Sequence, residues 1–132
     1  MSLNKLVFHL MKNILIITSF LGILAIILGA FGAHALKEKL DPESLKSFET
    51  GVRYLMYHVI VLLFVNTYSG ISDKNKKMIS YLFLAGIICF SGSIFAITAG
   101  GISAKAIWFI TPLGGILFIL GWGKLGLSFL KK

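Results

Sequence analysis

Residues 13–36 read NILIITSFLGILAIILGAFGAHAL, a long apolar run without a single Asp, Glu, Lys or Arg. An α-helix rises about 1.5 Å per residue, so about 20 apolar residues are enough to cross the hydrocarbon core of a bilayer. Only a helix satisfies its own backbone hydrogen bonds over such a length, whereas a closed barrel needs many shorter strands. This run therefore predicts a membrane-spanning helix.

Three more apolar runs of similar length follow it along the chain. We expect helices at about 13–36, 54–72, 78–99 and 106–127, which together form an all-α integral membrane four-helix bundle, a single transmembrane domain over 1–132. The composition agrees, because 57% of the residues are hydrophobic and only 14% are charged. Residues 1–10 are expected to be a disordered or in-plane extension, and Met11 would itself make a natural start.

The N-terminal run has a competing interpretation as a cleaved secretory signal. Lys5 and Lys12 precede it, and Ala33-His34-Ala35 fits the small-x-small pattern of a cleavage site. The run is longer than the roughly 7–15 apolar residues of a signal core and matches the length of a membrane span. We therefore favour the span.

The connection between the first two spans carries the signature of a helix start. Asp41 suits an N-cap, Pro42 a first helical position and Glu43 a first-turn acid. Apolar residues such as Leu45 and Phe48 then recur at helical spacing. We expect a short amphipathic segment over about 41–53 that lies on the outer interface and bends into the second span.

Basic residues indicate how the helices are oriented, because Lys and Arg are more frequent in cytoplasmic flanks. The chain has 13 basic and 5 acidic residues, and the basic ones lie at the ends of the apolar runs. One side of the predicted bundle holds Lys5, Lys12, Lys74, Lys76, Lys77, Lys124, Lys131 and Lys132, and the other holds Lys37, Lys39, Lys46, Arg53 and Lys105. Both termini are therefore expected in the cytoplasm. This scattered charge favours membrane lipids as partners and argues against nucleic acid.

Small residues recur within the spans at the spacings that allow helices to approach closely in lipid. The residues predicted to pack helices are Gly22, Ala25, Gly29, Gly32, Ala33, Gly86, Gly92, Gly114, Gly115 and Gly121. Such faces serve packing inside one bundle or between chains. They leave open a homo-oligomer or a partner membrane protein.

Polar side chains in or beside the spans are the candidate functional residues, since ionisable groups at membrane depth are costly. The candidate polar site comprises His34, Arg53, Tyr54, Tyr57, His58, Ser91, Ser93 and Thr111. Both histidines are expected near the outer interface, either as hydrogen-bonded structural groups or as a site for a proton, an anion or a metal. Arg53 and the tyrosines fit either an aromatic belt or an anion pocket. Pro112 is expected to kink the fourth helix near Thr111.

Five short motifs, in order, resemble a known family. They are Gly29-Ala-Phe-Gly-Ala-His34-Ala-Leu36, Tyr54-x-x-Tyr57-His58, Phe90-Ser-Gly-Ser93, Thr111-Pro-Leu-Gly-Gly115 and Gly121-Trp122. The chain resembles domain-of-unknown-function family 423 (DUF423), also called uncharacterised protein family 0382 (UPF0382), from about residue 11 to 127. The resemblance implies a four-helix protein of the bacterial inner membrane, with no established activity. Leu55 and Phe95 depart from the glutamine and tyrosine that the family usually has there.

The sequence predicts no enzyme. It contains no nucleophile with a neighbouring base, no phosphate loop and no zinc signature, so we expect neither a catalytic site nor a metal or other cofactor. Its one cysteine, Cys89, excludes an intrachain disulfide. The leading hypothesis is a structural or interaction protein, or one that contacts lipid. The alternative is a small transporter or channel whose pathway is lined by the candidate polar residues.

Overall fold

The computed structural model describes residues 1–130 and contains four long helices. They are α1 (Leu3–Ala33), α2 (Pro42–Thr67), α3 (Asp73–Thr98) and α4 (Ile110–Leu130). Each is long and apolar enough to cross a membrane, and residues 1–130 contain no strand. The predicted all-helical membrane fold is confirmed. Lys131 and Lys132, which we counted toward the orientation, lie outside the described residues.

The helix boundaries differ from the apolar runs. α1 begins at Leu3 and has 31 residues, so the extension expected to be disordered or in-plane is part of the helix. Residues 3–12 contain no Gly or Pro, and their apolar side chains recur at helical spacing. α3 likewise begins five residues early, at Asp73, where the Ser72 hydroxyl accepts the Asn75 N–H at 3.3 Å. α4 begins at Ile110, later than the expected 106.

Asp41 caps α2 in the predicted way. Its carboxylate accepts the backbone N–H of Glu43 at 3.1 Å and that of Ser44 at 2.9 Å, and the Ser44 hydroxyl donates to it at 2.6 Å. These hydrogen bonds, that of the Ser44 hydroxyl above all, lower the pKa of the Asp41 carboxyl because they stabilise its charged form. Pro42 occupies the start of the helix, where its missing N–H costs nothing.

The amphipathic segment predicted over 41–53 is the first part of α2, which continues without a break to Thr67. Its apolar side faces neighbouring helices. Phe48 is buried against Gly32 of α1, and Gly51 is buried where it faces Phe95 of α3. The apolar side of this segment therefore takes part in packing within the bundle.

The four helices alternate in direction along the bundle. α1 runs along α2, with Gly22 opposite Val59 and Gly29 opposite Val52. α4 runs along α3, and α2 and α3 lie between these outer helices. Within residues 1–130 the backbones of α1 and α4 do not approach each other. The core lies mainly on the two central helices and includes Leu55, Leu62, Val65, Ile79 and Phe83.

The expected packing residues fall into three groups. Gly22, Ala25, Gly29 and Gly32 lie on α1, where the three glycines face side chains of α2 and Ala25 is buried in the core. On the other side, Gly86 of α3 faces Phe118, while Gly114 and Gly121 of α4 face Phe90 and Phe83. The expectation does not hold for Ala33, Gly92 and Gly115. Ala33 and Gly92 are exposed, and a Cβ on Gly115 would meet nothing within 4 Å.

The kink predicted near Thr111 is not where the helices are interrupted. Pro112 lies in the first turn of α4, where a missing N–H breaks no helical hydrogen bond, so the structural basis for the expected kink is absent there. The interruption instead lies in α3, where Ile88–Gly92 forms a π-helical segment. Such segments change the register of a helix face by one residue and are frequent at functional sites. This one contains Ser91 and lies beside Gly114 of α4.

Candidate functional site

His34 does not contribute to a shared site. It is the C-cap residue of α1, where its backbone N–H donates to the Ala30 carbonyl, and its side chain is exposed. Gly32, two residues before His34, faces Phe48 of α2, and His58 lies ten residues farther along α2, which corresponds to about 15 Å of helical rise. The structure therefore separates the two histidines in depth, whereas the sequence suggested that both lie near the outer interface.

His58 is held inside the bundle by both ring nitrogens. The side chain is 3% exposed, and its Nδ1 lies 2.6 Å from the carbonyl oxygen of Tyr54. A carbonyl only accepts, so Nδ1 carries the hydrogen and Nε2 is left as an acceptor. Nε2 then accepts the indole N–H of Trp122 on α4 at 3.1 Å. This arrangement defines a neutral imidazole that joins α2 to α4.

Aromatic rings surround this histidine. Phe118 of α4 stacks on the imidazole with ring centroids 3.6 Å apart and an interplanar angle of 8°. The rings of Phe83 and Trp122 lie at 5.2 and 6.0 Å from it. The imidazole is thus packed as a flat aromatic group, since stacked and tilted rings of this kind stabilise a core beyond simple burial.

The hydroxyl groups of the candidate site are also used between helices. Ser91, in the π-helical segment, is buried and donates to the Gly51 carbonyl of α2 at 2.7 Å. Ser93 donates to the Phe90 carbonyl at 3.0 Å, and its oxygen lies 2.5 Å from the Thr111 hydroxyl of α4. Because Ser93 has one hydrogen to give, Thr111 donates to it. These bonds fasten α3 to α2 on one side and to α4 on the other.

Arg53, Tyr54 and Tyr57 lie on the surface of α2. Arg53 donates to the Thr50 hydroxyl at 3.0 Å and borders a cleft of about 230 Å³ between α1 and α2. The two tyrosine rings meet edge to face at 5.8 Å. Together with Trp122, they line an open, mainly apolar groove of about 630 Å³, with His58 at its base.

The eight candidate residues therefore do not form one site. His34 is apart, Arg53 borders its own cleft, and the three hydroxyl groups form interhelical hydrogen bonds. Only His58 and the two tyrosines share a groove. Within residues 1–130, no three His, Cys, Asp or Glu side chains come close enough to hold a metal ion.

Sequence reasoning missed several polar groups and the partners of His58. Trp122 appeared only as part of a motif, and nothing in the spacing of residues 58 and 122 indicates that they meet. A second buried polar contact joins α2 and α3, where the Asn66 amide donates to the Ser80 hydroxyl at 2.8 Å. Lys76 is also buried, at 6% exposure. The sequence pattern could have indicated that Asn66 and Lys76 are buried, because each lies at helical spacing among apolar core residues.

Comparison with known proteins identifies a matching family and several relatives. The pattern of the family described as "Protein of unknown function (DUF423)" matches residues 28–115. The chain is 39% identical to a UPF0382 membrane protein of Staphylococcus aureus (strain bovine RF122 / ET3-1), over 85% of this chain and 90% of the relative. It is 40% identical to UPF0382 membrane protein YwdK of Bacillus subtilis, over 85% and 91%, and 37% identical to a UPF0382 membrane protein of Haemophilus influenzae, over 92% and 98%. No solved structure matches.

Proposed function

Since this chain belongs to the DUF423 family of membrane proteins of unknown function, we propose that it is a non-enzymatic protein that acts through the surfaces of its helices. Its partners are lipids, further copies of itself or other membrane proteins. The relatives described above are bacterial membrane proteins, which supports a multi-pass protein of the bacterial inner, or cell, membrane.

One observation carries this proposal, namely the full use of the buried polar groups of the candidate site in joining helices. Both nitrogens of His58 are occupied, and the hydroxyls of Ser91, Ser93 and Thr111 all take part in hydrogen bonds. A general acid or base must be free to exchange a proton with a substrate, and a transport pathway needs polar groups that face a passage. The hydroxyls are bonded within the helix bundle, and His58 lines the open groove with both of its nitrogens occupied, which favours a scaffold over an enzyme or a transporter.

The open glycines of α4 support contact with another chain. A Cβ on Gly115, Gly123 or Gly126 would meet nothing within 4 Å, and the last two glycines are exposed. On α1, by contrast, Gly22 and Gly29 face α2 of the same chain. Small residues on an outward helix face allow a second helix to approach closely in lipid.

The distribution of lysines supports cytoplasmic termini. The start of α1, the turn between α2 and α3 and the end of α4 lie at the same end of the alternating bundle. That end carries Lys5, Lys12, Lys74, Lys76, Lys77 and Lys124 within the described residues, against Lys37, Lys39, Lys46, Arg53 and Lys105 at the opposite end. The excess fits the positive-inside bias. Cysteines at residues 5 and 39, introduced separately with Cys89 replaced by alanine, test it with an impermeant thiol reagent on spheroplasts. Only the cysteine at residue 39 is expected to be labelled. Labelling of only the cysteine at residue 5 would show that the protein has the opposite orientation.

Flux measurements test the non-transport part of the proposal. The full chain in proteoliposomes is expected to carry no protons, sodium or potassium above protein-free vesicles, and His58→Ala is expected to lower stability without changing flux. Protein-dependent flux that disappears in His58→Ala, with the fold retained by circular dichroism, would overturn the proposal.

Crosslinking in native membranes tests the contact surface. A chain whose only cysteine is at residue 123, on the open side of α4, is expected to form disulfide-linked dimers or adducts. The matched control has its only cysteine at residue 20, on the exposed side of α1. Monomer alone from both variants would count against a protein partner.

A further inference from the structure

Two apolar grooves share the same pair of lysines at the start of α3. One groove, of about 370 Å³, runs down α3 along Met78, Tyr81, Leu82 and Ala85 and has Lys74 and Lys77 in its lining. The other, of about 280 Å³, lies between α3 and the first turns of α1 and is lined by Lys74 and Lys77 as well. Its remaining lining is mainly aliphatic and comes from Leu3, Leu6, Val7, Leu10, Met11 and Ile14, with Asp73 at the edge.

Membrane depth explains why charged and apolar residues meet here. α3 has 26 residues, or about 39 Å of helical rise, which exceeds a hydrocarbon core of about 30 Å. We therefore expect its first five residues, which include Asp73, Lys74 and Lys77, to lie among the headgroups, with the groove from Met78 to Ala85 extending toward the acyl chains. A molecule that fills this groove must have a polar end above an apolar body.

The two lysines are free to meet such a molecule. In the run Lys74-Asn-Lys76-Lys77, only Lys76 is buried, whereas Lys74 and Lys77 are exposed and three residues apart, on one side of the helix. The ammonium of Lys77 lies 5.8 Å from the centroid of the Tyr81 ring, and both residues line the first groove.

The positive charge at this end of the protein favours a negatively charged ligand. Asp73 is the one acidic residue in the sequence that falls at this end, against six lysines within residues 1–130, namely Lys5, Lys12, Lys74, Lys76, Lys77 and Lys124. Basic residues beside a membrane surface attract anionic headgroups, and a basic pocket at a helix end is a recurrent headgroup site. The electrostatics therefore favour a lipid with a net negative charge.

We infer that this chain binds an anionic phospholipid, with the phosphate between Lys74 and Lys77 and an acyl chain in the groove along Met78–Ala85. This inference rests on the proposed function and deepens it, because it specifies which lipid the helix surface selects and where. A free phosphate ion shares the headgroup chemistry but leaves the apolar groove empty, so the lipid is the occupant we assign.

Native mass spectrometry of the full-length protein in detergent measures this selectivity. The probes are dioleoylphosphatidylglycerol and dioleoylphosphatidylcholine, which have the same acyl chains and differ in net charge. A basic residue at a membrane surface strengthens binding of anionic lipid about fivefold, so two lysines predict roughly 30-fold tighter binding of phosphatidylglycerol. Equal binding of the two lipids would overturn the inference. Inorganic phosphate at millimolar concentration is not expected to displace the bound lipid, and displacement would show that only an anion site exists.

A pair of charge variants locates the site. K74Q/K77Q is expected to lose most of the roughly 30-fold preference while binding phosphatidylcholine unchanged. The control K5Q/K12Q removes two lysines from the same end of the protein without altering the lining of either groove. An equal loss in both double variants would indicate general surface charge and would overturn the assignment.

A third variant tests the groove independently of charge. Ala85 lines the first groove and is half-buried, so Ala85→Leu shortens the space available to an acyl chain. Binding of both lipids is expected to weaken by a similar factor, with thermal stability unchanged, and unchanged binding would remove the groove from the site. A failure in these binding tests leaves the flux and crosslinking results of the proposed function intact, so the two proposals fail separately.

Discussion

Replacing Gly114 and Gly115 separately with alanine tests the close approach of α4 to α3. Gly114 is buried, and a Cβ on it would lie 2.7 Å from both Cα and Cβ of Phe90, and closer still to the Phe90 backbone nitrogen. A Cβ on the adjacent Gly115 would meet nothing within 4 Å. Both positions are in α4, so the two variants change the same chemistry on two sides of one helix.

A Cβ on Gly114 would clash with backbone atoms of Phe90, so the expected loss of unfolding free energy is large. The atoms that face Gly86 and Gly121 belong to aromatic side chains, whereas the Phe90 backbone belongs to the π-helical segment of α3 and moves only with that helix. Overpacking a tight core costs about 1–3 kcal/mol. Gly115→Ala instead gains about 0.5–1 kcal/mol, because alanine loses less backbone freedom in a helix.

The backbone gain applies equally at Gly114 and cancels between the two variants, so Gly114→Ala is expected to be about 1–3 kcal/mol less stable than Gly115→Ala. The assay is reversible unfolding in mixed micelles, in which the sodium dodecyl sulfate fraction is raised and helix content is followed by circular dichroism. If Gly114→Ala is as stable as Gly115→Ala, the close approach of α3 and α4 at Phe90 is refuted.

Three further outcomes follow from the polar contacts. Trp122→Phe keeps an aromatic side chain but removes the N–H that His58 accepts, together with part of the indole ring. The unfolding free energy should therefore fall by at least about 0.5–1.5 kcal/mol, and no change would show that the bond is not formed. Ser91→Ala removes the bond to the Gly51 carbonyl and should cost about 0.6–1.7 kcal/mol in the same assay. The folded pKa of Asp41 lies below its ordinary value of 3.8, so its cap stabilises α2 above that pH and is lost as the pH falls through the folded pKa. The melting temperature should therefore fall between pH 7 and pH 3, and this fall should be smaller in Asp41→Asn.

The features that follow from local physics were predictable. Each apolar run is long enough to span a bilayer whatever surrounds it, so the existence of four helices did not depend on their neighbours. The cap at Asp41 is equally local, since its partners are two and three residues away. The early start of α1 at Leu3 was missed because we took the end of the apolar run as the end of the helix, although charged residues such as Lys5 and Lys12 extend a helix readily.

The candidate site was predicted less well, because its residues were chosen by type. His34 and His58 were grouped as ionisable residues of the first two helices, yet one is exposed at a helix end and the other is buried at mid-helix. Trp122, which the prediction left out, supplies one of the two hydrogen bonds that define the state of His58. An inspection of residue types alone does not reveal such a partner 64 positions away.

The sequence by itself determined that the chain crosses the membrane four times, because the hydrophobic length of each run must match the thickness of the bilayer. Only the tertiary structure decided which polar groups meet. Those meetings depend on how far each helix is rotated about its axis and shifted along it, and both are set by contacts between helices. The contact of Gly114 with the backbone at Phe90 and the stacking of Phe118 on His58 fix α4 against its neighbours. Because α4 is held in this position, the His58 imidazole, which the sequence suggested as a functional group, accepts a hydrogen bond that joins two helices.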